Sequence, residues 1–343
     1  MTQFVDWDLA AATARTVAGS GPNLGLSDAK GEVRRLRETA ARAADHVAEF
    51  TGLVPSEAAA VRVVDRPAWS AANVEGMRSL LDPLAHKVSG EPGVLVKVVG
   101  SRLAGTQVGA VLGFLSGKVL GQYEIFGQPR GRLLLVAPNI VETQRRLDAD
   151  AEDFRMWVCL HEATHAAQFG AVDWLRDHFM SEIDLFAAGE SSDGMDLAQR
   201  FRRAVTVVVD SVRDVDNDSS VMDLVTSPQQ REALERITAM MTLLEGHADY
   251  IMDEVGKDVM GDVASLRRKL DHRRLTSSPI QRIVRRLLGV DVKFKQYVRG
   301  RAFVSAVVDE VGMERFNKVW TSPQTLPDME EIADPAAWVR RVA

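Results

Sequence analysis

The sequence predicts a mainly α-helical protein with one small β-hairpin. Three observations predict it. Ala, Val, Leu and Arg are abundant while aromatic residues make up only 6% of 343 positions, a balance that favours helix over sheet. Apolar residues recur at helical spacing along most of the chain. Strand-like segments are confined to one stretch, 122–141.

Residues 28–51 (DAKGEVRRLRETAARAADHVAEFT) carry apolar positions at helical spacing among charged and small ones, as an amphipathic surface helix does. A second helical stretch follows Pro67 and Trp69, with Pro83 expected to kink or break it. Between Arg102 and Lys118 the chain is uncharged for 15 residues. That is short of the ~20 apolar residues a membrane span needs, so no span is expected. Its glycines fall at 105, 109, 113 and 117, with another at 121, a stripe that lets a neighbouring backbone approach closely.

QYEIF (122–126) and RLLLVAPNIV (132–141) flank the turn-rich GQPRG and read as the two strands of the hairpin. A helix from about 150 to 169 follows, ending near Gly170. Helices continue over 173–217, interrupted at GESSDG (189–194). The acidic run DVDNDSSVMD (214–223) fails as a calcium loop, because Ser219 and Val225 stand where Gly and Glu belong. A long helix starts at Ser227-Pro228 and runs through Met252, with Gly256 closing it. No repeat or linker divides the chain, so residues 1–343 are expected to form one domain. Its parts are a helical N-terminal portion (1–120), a central portion holding the hairpin and two key helices (121–256), and a helical C-terminal portion (257–343).

Composition excludes several classes. A formal charge of −6 argues against a nucleic-acid binder. A single cysteine, Cys159, rules out a disulfide framework within the chain and is expected to serve as a small buried hydrophobe. Asp6 and Asp8 stand where a signal peptide would be basic and apolar, so a cytoplasmic location is expected.

The chemistry lies in VCLHEATHAAQF (158–169). On a helix His161 and His165 share a face, with Cβ atoms ~5–6 Å apart, so both imidazoles can meet one ion. Glu162 sits about 100° around from His161, placed to act as general base on a metal-activated water rather than to ligate. A catalytic zinc needs a third protein ligand and an open position. Gln168 and Ala171 occupy the places where one known continuation of this motif has Gly and His, so the third ligand must come from elsewhere. The segment TAMMTLLEGHADYIMDEV (238–255) offers it. Glu245 and Asp249 interrupt an apolar stretch four residues apart, and burial of lone carboxylates there would be costly. Glu245 is expected as ligand and Asp249 as acceptor of a histidine N–H. His247 is the rival ligand, about 200° from Glu245 on the same helix. His46, His86, His178 and His272 are expected in surface or satisfied polar roles. His247, Tyr250, His272 and Tyr297 all stay open as donors to an oxyanion.

The E-x-x-x-D pair after HExxH is similar to that of the gluzincins, and predicts a zincin-like fold with the hairpin beside the active-site helix. Further pieces carry a closer resemblance: VDWDLA (5–10), VVDRPAW (63–69), VLGQYEIF (119–126), HEATHAAQF (161–169), LEGHAD (244–249) and WVRR (338–341). The chain resembles, over nearly its full length, the actinobacterial zincin-like proteins, some of which carry a hydrolase label tied to biosynthesis of the deazaflavin coenzyme. The resemblance implies a single, largely helical zincin-like fold and a zinc metallopeptidase activity. Residues 265–301 hold twelve Lys/Arg against two Asp. That coenzyme bears an acidic oligoglutamate tail, so an anionic, peptide-like substrate is one expectation for this basic stretch; solvated helix faces are the other. The expected activity is cleavage of a peptide or amide bond. A zinc hydrolase of non-peptide amides or esters and a non-catalytic scaffold of the same fold are the alternatives.

Overall fold

A computed structural model describes residues 5–87, 94–127, 131–188, 227–274 and 297–343. The predicted break at 189–194, the acidic run at 214–223 and most of the basic stretch lie outside them.

The centre of the architecture is a short strand with no polar face. RLLLV (β3, Arg132–Val136) is buried at every position, between β1 (Ala60–Val64) and β2 (Gly121–Glu124). β2 pairs with it antiparallel, Tyr123 opposite Leu133, which is the predicted hairpin. β1 pairs parallel, Arg62 opposite Leu134, and was not expected from the sequence. Its five residues are half exposed at an edge and become a strand only through that non-local pairing. Successive side chains of β3 point to opposite faces. Leu134 and Val136 enter one apolar cluster, Leu133 and Leu135 the other. The sheet is therefore a thin middle layer between two helical ones.

The first layer contains α1 (Trp7–Val17), α3 (Arg66–Lys87) and α4 (Val94–Ser116). The glycine stripe does what its spacing predicts. A Cβ built on Gly105 would lie 2.4 Å from the Asp6 carbonyl oxygen, and one on Gly109 2.3 Å from that of Ala10. α1 thus lies directly on the glycine face of α4. Gly121 is not part of that helix; it opens β2. Among the described residues no helix is long and apolar enough to cross a membrane. Pro83 does not end α3, which continues past its exposed ring to Lys87.

The second layer holds α2 (Leu26–Thr51), α6 (Ala151–Ala171), α7 (Leu175–Ala188), α8 (Pro228–Val259), α9 (Val263–Arg274) and α10 (Tyr297–Val311). α2 buries Leu36, Ala40, Ala43 and Val47 at helical spacing and turns most of its charges to water, Glu32 being buried against Arg155. Short helices α11 (Met313–Phe316), α12 (Met329–Ala333) and α13 (Pro335–Val342) close the core, with Phe316 and Trp338 fully buried.

Two boundaries differ from the sequence reading. The apolar run 132–141 is not all strand: it turns at Ala137-Pro138 into α5 (Ala137–Leu147). Proline suits a first helical turn, where its missing N–H is not needed. The long helix α8 begins as expected, with Ser227 and Gln230 forming a capping box, but Gly256 does not close it. Met260 and Val263 pack where a side chain on Gly256 would stand, and the helix ends at Val259.

Candidate metal centre

α6 carries the HEATH segment through the core. Asp150 caps its N-terminus, its carboxylate accepting the N–H groups of Glu152 and Asp153. Beyond that first turn Phe154, Val158, Leu160, Ala163 and Ala167 are buried, so apolar packing rather than solvent fixes its position. Cys159 is fully buried, and that burial pushes its thiol up to about 12, the inert hydrophobe expected.

α8 runs antiparallel to α6: Asp153 near the start of α6 accepts the Gly261 N–H just beyond the end of α8. Midway, His161, His165 and Glu245 converge. The two Nε2 atoms are 3.3 Å apart. Glu245 Oε2 lies 3.7 Å from Nε2 of His161, and its Oε1 3.6 Å from Nε2 of His165. Among the described residues they form the one group of three ligating side chains with all donor atoms within 4.8 Å. Tetrahedral zinc with bonds of ~2.0–2.1 Å separates its ligands by about 3.4 Å. The trio matches that size before any adjustment, and its neutral nitrogens and carboxylate are the donor types zinc takes. Side-chain exposures of 21%, 14% and 32% for His161, His165 and Glu245 leave one side of the group open to solvent. The turn of α8 that presents Glu245 is held from behind, where Gly246 and Gly300 meet backbone to backbone and α10 crosses.

Glu162 is 6% exposed and lies against Gly121 at the start of β2. It accepts the Tyr123 backbone N–H. Burial foremost, then repulsion from Glu245, raises its carboxyl to about 8, with the Tyr123 bond pulling the other way. A divalent cation beside both carboxylates would replace that repulsion by attraction.

Of the two residues weighed as third ligand, Glu245 stands with His161 and His165 and His247 does not. His247 is fully buried, stacked on Phe316 and edge-on to Trp320, and stands outside the trio. Its Nδ1 accepts from Gln168. Asp249 is half-buried one turn beyond Glu245. The acceptor at His165 Nδ1 is Gln168, at 2.9 Å. Gln168 is the site residue that sequence reasoning passed over. Its signal was a lone amide in the apolar run that follows His165, three residues on and on the same side of the helix. Of the proposed oxyanion donors, Tyr250 is buried beside Phe50.

A thin sheet between helical layers, a buried HExxH helix and a glutamate from an antiparallel neighbour define a hydrolase of the zincin type. The chain belongs to the zincin-like metallopeptidase family, whose model matches residues 5–339. It is also similar to a solved structure described as "a putative hydrolase with a novel fold from Chloroflexus aurantiacus", with 28% identity, 98% of each chain covered and a TM-score of 0.73. No curated protein sequence matches it significantly.

Proposed function

We propose that this protein is a zinc-dependent metallopeptidase that cleaves a peptide or amide bond, with His161, His165 and Glu245 as ligands and Glu162 as general base. The observation that carries the reading is the trio itself: three donors at mutual separations of 3.3–3.7 Å, open on one side, with a buried glutamate one residue from the first histidine. Zinc held there would polarise a carbonyl and acidify a water molecule. Glu162 takes the proton from the attacking water and returns it to the leaving amine. Its bond from Tyr123 N–H orients the carboxylate for that task. Asp249, one turn beyond Glu245, is proposed as a supporting acceptor for the N–H of a ligating histidine. Three protein ligands and an open side favour catalysis over a closed structural site.

The basic residues of 265–301 suit an anionic, peptide-like substrate, and that class is part of the proposal. The comparisons support family and hydrolase chemistry; the coenzyme association rests on the resemblance alone.

The test is metal content beside hydrolysis. Wild-type protein should hold about one zinc per chain, lost in His161→Ala and Glu245→Ala. Glu162→Gln should keep the metal and lose turnover on a peptide library. Wild-type protein that takes up no zinc would refute the proposal.

A further inference from the structure

We infer that Gln168 is a positioning residue for the metal centre, setting the tautomer of His165, and that His247 sets Gln168 in turn. This rests on the ligand assignment proposed above and extends it to two buried side chains outside the trio.

The argument starts from a group whose role is unambiguous. The Leu244 carbonyl can only accept, and it lies 3.1 Å from the Gln168 side-chain nitrogen. The amide is therefore oriented with its NH2 toward α8 and its oxygen toward His165. That oxygen is 2.9 Å from His165 Nδ1, a bonding contact when Nδ1 carries the proton. Nε2 of His165 is then the lone-pair nitrogen, and it is Nε2 that faces His161 and Glu245. Proton and lone pair are thus distributed as a ligand requires.

The second N–H of the amide points at His247 Nδ1, at 2.9 Å. His247 can accept there only with its own proton on Nε2. Its ring is gripped by Phe316 and Trp320, with centroids 5.4 and 5.3 Å away, so it cannot turn to offer the other nitrogen without repacking both. Gln168 and His247 are each 0% exposed, so no solvent competes for the amide. A flipped amide would set its oxygen against the Leu244 carbonyl, a buried clash between two acceptors, where unsatisfied polar groups are costly. Leu244 also adjoins Glu245, so one side chain braces the ligand-bearing turns of both helices.

The experiment is zinc affinity by competition with a chromophoric chelator, together with the absorption spectrum of the cobalt-loaded protein. Apo-protein melting serves as the folding control. Gln168→Leu, similar in size but without the amide, should lose about 10–100-fold in zinc affinity and shift the cobalt bands. Gln168→Glu keeps an acceptor at Nδ1 but sets its second oxygen beside the Leu244 carbonyl, so it should recover affinity only in part. His247→Phe keeps the ring stacking and should lose less than Gln168→Leu. The double variant should be no weaker than Gln168→Leu, because His247 acts through the amide.

Wild-type zinc affinity and cobalt spectrum in a folded Gln168→Leu protein would overturn the assignment, leaving the amide as packing. A double variant with the product of both losses would overturn the relay from His247. If Gln168→Leu does not fold, Gln168→Met replaces it and wild-type affinity there overturns the assignment, while unchanged affinity in His247→Phe overturns the relay. Loss of these effects is distinct from failure of the ligand assignment, which would appear as absence of zinc in the wild type.

Discussion

Gly121 and Glu162 share one space. A Cβ on Gly121 would lie 2.5 Å from Cγ of Glu162 and 2.8 Å from its Oε1. The first residue of β2 is thus a glycine because the base of the proposed reaction lies against it, and the N–H of Tyr123, two residues on, holds that base from the same strand.

Gly121→Ala should therefore act on Glu162 and not on the metal. The methyl group forces the carboxylate to swing away, since the three atoms nearest to it all belong to Glu162. Zinc content is expected to stay at the wild-type level and turnover to fall by at least about tenfold, part of the ~10²–10⁴ that a placed general base supplies. Equal turnover would mean that Glu162 works from another position.

What the sequence made legible follows from how local each feature is. His161, Glu162 and His165 occupy one turn of one helix, so their geometry follows from a spacing of four. Glu245 was found because a carboxylate in an apolar helix must have a partner. β1 was missed because Val61 and Val63 become a strand only by pairing with Leu133 and Leu135, some seventy residues on. Residues 137–141 look like strand by composition, but Pro138 starts a helix there. Gln168 was noted only as a departure from another motif; its role depends on Leu244 and His247, which no local pattern brings beside it.

The glycine stripe gives a second prediction, one in which two effects compete. Alanine favours helix over glycine by about 1 kcal/mol. At Gly109 that gain meets the Ala10 carbonyl oxygen at 2.3 Å, and overpacking costs about 1–3 kcal/mol, toward the upper end when the obstacle is backbone. Gly109→Ala should be net destabilising in urea unfolding. Gly117→Ala, whose nearest neighbour would be 3.7 Å away, should fall within about 0.5 kcal/mol of wild type. Similar midpoints for both would count against the tight crossing of α1 on α4.

Glu124 and Arg132 close the hairpin as a buried ion pair, with side chains 1% and 8% exposed and the nearest atoms 3.0 Å apart. Glu124 also accepts the N–H groups of Phe126 and Gly127. Glu124→Ala leaves a buried guanidinium and should cost about 3 kcal/mol, the lower end of the range because Arg132 retains Glu75. Glu75 is half exposed, so Glu75→Ala should cost under about 1 kcal/mol. Chemical denaturation of the two variants side by side checks the ordering.

β3 contributes to both apolar clusters through alternate residues, so loosening one helical layer exposes the strand that supports the other. The parts 1–120, 121–256 and 257–343 are accordingly expected to unfold together. Calorimetry should give one transition, and Leu134→Ala should lower it without splitting it. Two separable transitions would argue for independent domains.

His247 supplies a pH dependence whose sign can be fixed. Burial, with a smaller contribution from His165, depresses it to about 3, against 6.5 for a free imidazole. Between those values the unfolded chain binds a proton at this position that the folded chain refuses. Stability from His247 is therefore fully present above pH ~6.5 and declines as pH falls toward 3. Phenylalanine in its place keeps the contacts with Phe316 and Trp320 and removes the titration. Measured on metal-free protein, the unfolding midpoint of the wild type should fall more steeply than that of His247→Phe between pH 7 and 4.5. Parallel slopes would mean that His247 takes up its proton in the folded state, which its burial and its bond from Gln168 both oppose.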